Sequence, residues 1–156
     1  MEVVHVFDIA TNTWFTQPTV SNFGFYPKGG PGICSVVASA VDNSSHNIYI
    51  YGDNDGTMTV FILTLPAFLW VRVDTLSDDD PGPTTTGHRC QRVHEKHMVV
   101  YRGESSDGTC DSDKRSGKFQ GMAIYDMSSL EWTTKIELEN QKYLVPELLY
   151  KTIGGK

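Results

Sequence analysis

Three lines of this sequence end alike: "VFDIATNTW" at 6–14, "VFILTLPAFLW" at 60–70 and "IYDMSSLEW" at 124–132. Seven places before each tryptophan stands a bulky residue (Phe7, Leu63, Tyr125), and beside it a short oxygen-bearing side chain (Asp8, Thr64, Asp126). Such a side chain hydrogen-bonds its own turn, so each line reads as a strand, a turn ("IATNT", "LPAFL", "MSSLE") and an outer strand begun by Trp14, Trp70 or Trp132. Pro66 suits this reading, because proline is tolerated where a strand ends and breaks one placed centrally. The tryptophans lie 56 and 62 residues apart, which fits four short strands with their turns per unit. The chain is an internal repeat.

Upstream of the second and third lines the pattern repeats again. "NIYIYG" at 47–52 alternates around Ile48 and Ile50 and stops at Gly52, and "HMVVYRG" at 97–103 has the same outline ending at Gly103. Each follows another strand-like run, "GICSVVASAV" at 32–41 or "GHRCQRV" at 87–93, across a short polar stretch, giving two hairpins. A loop rich in Gly, Asp and Ser then leads into the aromatic line, so the unit is strand, strand, loop, strand, turn, strand. Helical signals are confined to "PELLYKTIGG" at 146–155, where proline opens and glycines close one short helix. The expected fold is all-β.

With 156 residues the chain forms about one domain. A net charge of −6 with scattered Lys and Arg offers no basic stripe for phosphates, so nucleic acid is not an expected partner. The opening residues lack a basic and apolar leader, and no apolar run reaches the roughly 20 residues that span a bilayer, so the chain as written reads as soluble. Cys34, Cys90 and Cys110 lack zinc-site spacing and allow at most one bridge within the chain. Asn43-Ser44-Ser45 satisfies the N-glycosylation rule, which matters only in a secreted protein.

These units resemble the Kelch repeat, whose four-stranded units form the blades of a β-propeller with an aromatic and a Trp on the third and fourth strands. The series "IYIYG…LTLPAFLW", "GHRCQRV…MVVYRG…GMAIYDMSSLEW" and "YLVP…IGG" is most similar to fungal Kelch-repeat proteins of the galactose oxidase-like propeller group. The resemblance departs from the family pattern where Kelch units carry paired glycines, since only Gly52 and Gly103 remain. It implies a blade remnant at 3–17, blades at 31–75 and 85–137, and a tail at 146–156 beyond a propeller part ending at 145. Two and a half blades do not close a ring. The expectation is therefore a C-terminal fragment of a longer propeller, with an apolar blade face on the order of several hundred Å² covered by missing blades or self-association. The resemblance further implies a parent at the cell surface or anchored in a membrane. It also implies a Cys90–Cys110 bridge, worth roughly 3 kcal/mol in the chain-entropy model, with two free thiols as the alternative.

Signs of chemistry are sparse. His88, Cys90, His94 and His97 in "GHRCQRVHEKH" do not all point to one side of a strand, as metal ligands would have to. "DNDG" at 53–56 and "DDD" at 78–80 lack the rest of a calcium loop, and "GGPG" at 29–32 precedes a strand where a phosphate cradle follows one. No nucleophile motif stands out. The expected function is a non-catalytic scaffold that binds a protein or glycan through its loops and needs no cofactor. The alternative is a fragment of a galactose oxidase-like copper oxidase, which the resemblance implies would carry tyrosine and histidine ligands and a tyrosine–cysteine crosslink.

Overall fold

The computed structural model describes residues 1–30, 32–54, 57–73, 87–101, 122–139 and 142–153. They form three sheets. The first is a hairpin of β1 (Val3–Asp8) and β2 (Thr13–Pro18). The second contains the antiparallel run β4 (Ile33–Ser39), β5 (His46–Asn54), β6 (Thr57–Leu65) and β7 (Leu69–Val73), with β3 (Val20–Ser21) added parallel outside β7. The third is the antiparallel run β8 (Arg89–Val93), β9 (His97–Tyr101), β10 (Met122–Asp126) and β11 (Glu131–Thr133). The four-stranded unit expected from the repeat is present twice, and its last two strands once more in the first hairpin.

The three aromatic lines superimpose in register. Phe7 stands opposite Trp14, Leu63 opposite Trp70 and Tyr125 opposite Trp132, so each pair projects from one face of its sheet. Two places before each tryptophan the chain turns through a left-handed residue: Asn12 (φ 53°), Phe68 (φ 50°) and Leu130 (φ 63°). Asparagine tolerates this conformation, whereas Phe68 and Leu130 carry a penalty of about 1–2 kcal/mol that the flanking strand pairs must offset. At two of the turns the aspartate does what its position requires. Asp8 accepts the N–H groups of Ala10 and Thr11, and Asp126 those of Ser128 and Ser129. The Thr11 hydroxyl also donates to Asp8 at 2.7 Å, and this hydrogen bond first of all holds the Asp8 carboxyl below its usual pKa.

The aliphatic run of β6 has a packing cause. Val60 and Ile62 point into a core shared with the third sheet, and Phe61 and Leu63 into a smaller core facing the first hairpin, so a strand covered on both sides alternates between two apolar environments. β5 does the same with Tyr49 and Tyr51 on one side and Ile48 and Ile50 on the other.

Three features differ from the sequence reading. β3 makes the middle sheet five-stranded, so β7 is not its outermost strand; two residues are too few to carry a period, and Val20 is held by its N–H to the Phe68 carbonyl. Gly52 does not end a strand, because β5 runs on to Asn54. The glycine is there because a Cβ would run into the Gly32 carbonyl oxygen and lie 2.8 Å from Ile33 Cα. Gly52→Ala should therefore lower stability by about 3 kcal/mol in denaturant titration, and an unchanged midpoint would contradict this close approach. The third concerns cysteine and is taken up below. At the end of the chain α1 (Glu147–Ile153) follows Pro146, buries Leu149 and joins Glu147 to Lys151 at 2.8 Å.

Candidate interaction site

Tyrosine dominates the seam between the second and third sheets. The Tyr49 hydroxyl donates to the Met127 carbonyl at 2.7 Å, which leaves it to accept from Tyr143 at 2.9 Å, and the Asn47 amide donates to Tyr143 at 3.0 Å. Trp132 lies edge-on to Tyr51 and to Tyr125, with ring centroids 5.0 Å apart in each case. Burial keeps these phenols protonated: the pKa values of Tyr49, Tyr51 and Tyr125 rise well above normal, and that of Tyr143 is pushed up to about 12. The aromatic positions serve as a dry joint between sheets.

A charged cluster sits at the turn end of the third sheet. Lys96, almost wholly buried, reaches Asp126 at 3.0 Å and Glu137 at 3.1 Å. Burial opposes its charge, but hydrogen bonds and attraction from both carboxylates outweigh that and raise its pKa. His97 is opposite Asp126 in the β9–β10 ladder, is 0% exposed, and has no hydrogen bond at either ring nitrogen; Nε2 lies 3.8 Å from the Asp126 carboxylate. Burial holds its pKa below the ordinary 6.5, with Lys96 adding to the effect and Asp126 opposing it. The unfolded chain thus takes the proton first as pH falls. Stability contributed by neutral His97 is present above about pH 6.5 and is lost below it, toward the folded-state value. Thermal melts between about pH 7 and 5 should show a decline that His97→Gln flattens; an equal decline in the variant would rule this histidine out as its source.

The tryptophans occupy repeated surroundings. Trp70, 1% exposed, packs with Phe61 and Leu63 where Met1 and Val4 of the first unit cover it, and its indole donates to the Met1 carbonyl at 3.0 Å. Trp132 meets Tyr51 of the sheet before it. Trp14 remains 67% exposed and touches Phe7 at 4.9 Å, with Val3 and Phe7 exposed on the same face. Each tryptophan of the second and third units is capped by the preceding sheet, and Trp14 presents the equivalent surface outward.

Cys90 is bonded to Cys34, not to Cys110. The two sheets come closest where β4 and β8 run side by side, with Cα atoms of the two cysteines 5.4 Å apart and Arg92 donating to the Val37 carbonyl at 2.9 Å. That nearness between units, and not within one, corrects the expected pairing. Cys110 and Gly103 lie outside the described residues, as does "DDD" at 78–80. Asn43 is exposed in the β4–β5 turn. His88 lies tilted against Tyr51 with ring centroids 5.2 Å apart, and His94 turns the β8–β9 hairpin with φ 53°. Among the described residues no three His, Cys, Asp or Glu side chains gather to hold a metal ion.

No protein-family model matches the chain. It is 32% identical over 184 aligned residues to a Kelch repeat-containing protein of Arthroderma benhamiae, an alignment that takes in 99% of this chain. The chain is a Kelch-repeat protein. It spans about a quarter, 26%, of the length of that relative. In Kelch terms the middle sheet is a blade of β4 to β7, the third sheet a blade of β8 to β11, and β1–β2 the outer half of another. The sequence reading singled out Trp14, Trp70 and Trp132 and the residues that stand opposite them, Phe7, Leu63 and Tyr125, but missed the Lys96–Asp126–Glu137 cluster. Its available signal was the placing of a lysine just ahead of β9, whose first residue, His97, the ladder sets opposite Asp126. Among the described residues no helix is long and apolar enough to cross a membrane.

Proposed function

We propose that this Kelch scaffold is a binding module without catalytic function, part of a larger propeller whose loops take a protein or glycan. The observation that carries the reading is the repeated stacking. Trp70 and Trp132 each lie against the unit before them, and the exposed Trp14 face offers the same contact to another blade. The Tyr49 and Tyr143 hydroxyls and the Asn47 amide, buried between the blades, are engaged in joining them, which is the task of a scaffold.

A tyrosine-ligated copper site does not fit the described residues. Their two cysteines are bonded to each other, so neither is available for a crosslink to tyrosine, and burial holds Tyr49, Tyr51 and Tyr125 firmly in the phenol form. The test uses the full-length protein. Saturable binding to an immobilised glycan panel or to a purified surface protein, with no turnover, is the expected result. A stoichiometric copper signal in spin-resonance spectra, together with peroxide release from galactose, would overturn it.

A further inference from the structure

We propose that Asn43 carries an N-linked oligosaccharide, attached in the oxidising compartment where Cys34 and Cys90 are joined. Two independent observations converge. The first is the acceptor site itself. Asn43-Ser44-Ser45 has no proline after the asparagine, and it forms the tip of the β4–β5 hairpin. The tip is closed beneath it by Ala40 and Ser45, whose N–H and carbonyl bond at 2.9 Å, and by the Asn43 N–H on the Ala40 carbonyl, also at 2.9 Å. Asn43 takes the left-handed conformation at φ 56°, and its side chain is exposed between the exposed Asp42 and Ser44. The carboxamide is not needed by the turn, because Asp42 supplies the side-chain cap, accepting the Ser44 N–H at 3.0 Å. A bulky substituent on the Asn43 side chain therefore meets solvent.

The second observation is the Cys34–Cys90 bond, which starts nine residues upstream on the same hairpin. Disulfides between structural elements form and persist in the secretory lumen and outside the cell, and are rare in the reducing cytosol. The enzymes that glycosylate asparagine work in that same lumen, on sequons of this form. In the transfer the Asn43 amide nitrogen bonds to the anomeric carbon of an oligosaccharide carried on a lipid diphosphate. The anomeric carbon–oxygen bond breaks, the diphosphate leaves with that electron pair, and the amide gives up one proton.

The structure also orders the events. The serine two places after the asparagine must be accessible to the transferase, yet in the folded hairpin Ser45 is 8% exposed and its carbonyl is bonded. Transfer thus precedes closure of β4 on β5, and the sugar is carried through folding at a tip that has room for it.

The test is peptide mapping of the full-length protein isolated from its own organism. Treatment with an enzyme that releases N-glycans should leave aspartate at position 43 in most molecules, and alkylation without reduction should leave Cys34 and Cys90 unlabelled. In the same host Asn43→Gln and Ser45→Ala should each abolish the mass shift. Unmodified Asn43 in the secreted wild-type protein, or two free thiols at 34 and 90, would overturn the proposal, and both readings come from the wild-type chain even if a variant fails to fold.

Discussion

Trp70→Ala is expected to lower stability by about 3–5 kcal/mol in denaturant titration, whereas Trp14→Ala should cost about 1 kcal/mol or less. The two residues hold one register position in their hairpins, opposite Leu63 and Phe7 respectively, so propensity and strand pairing do not distinguish them. Burial does. Trp70 fills the space between the middle sheet and the first hairpin and donates to the Met1 carbonyl, so truncation leaves a cavity and removes one of the two hydrogen bonds to that carbonyl, which the Thr19 hydroxyl also reaches at 3.0 Å. Trp14 has most of its ring in water. Equal losses for the two variants would show that the stacking of successive units is not what the tryptophans support. In a longer protein where a further blade covers Trp14, its substitution should approach the Trp70 cost.

Removing the inter-blade bond should have an effect of similar size. Cys34 and Cys90 are separated by 56 residues, and a cross-link closing such a loop contributes about 4 kcal/mol in the chain-entropy model. Cys34→Ser and Cys90→Ser should each lose about that much, and wild-type protein in reductant should fall to the same midpoint. Cys110→Ser should keep the oxidised stability and leave no free thiol at position 90. If instead Cys110→Ser releases a reactive thiol there while Cys34→Ser does not, the pairing described above is wrong.

The sequence carried the repeat because a strand-turn-strand line puts its information in local positions. The interval between Phe7 and Trp14, repeated at Leu63 and Tyr125, is the loop length that makes them cross-strand partners. The same locality explains the turn aspartates and the terminal helix. What it could not carry depends on how one sheet meets the next. Cys34 and Cys90 are neighbours because β4 and β8 converge, and no spacing within either strand reports that. Gly52 looked like a turn residue, since a glycine after an alternating run fits a strand end as well as a backbone contact. Phe68 and Leu130 gave no sign of their left-handed conformation, which is imposed on them by the strands they join. Of the candidate site, Tyr125 and Trp132 stood out in the aromatic line, while Tyr49, Tyr51 and Tyr143 join them only through the meeting of two sheets, and the Lys96 cluster was hidden because Glu137 joins it from beyond the last strand.

The middle sheet is tied to its two neighbours at opposite margins. Toward the first unit the ties run along its rim, where β3 lies beside β7 and the Trp70 indole reaches Met1. Toward the third unit the covalent tie joins β4 to β8 at the far margin. Motions that part these units therefore swing about different axes: the first pair gapes away from the rim and the second gapes toward it. A wedge entering between blades would meet two hinges of opposite sense in a single molecule.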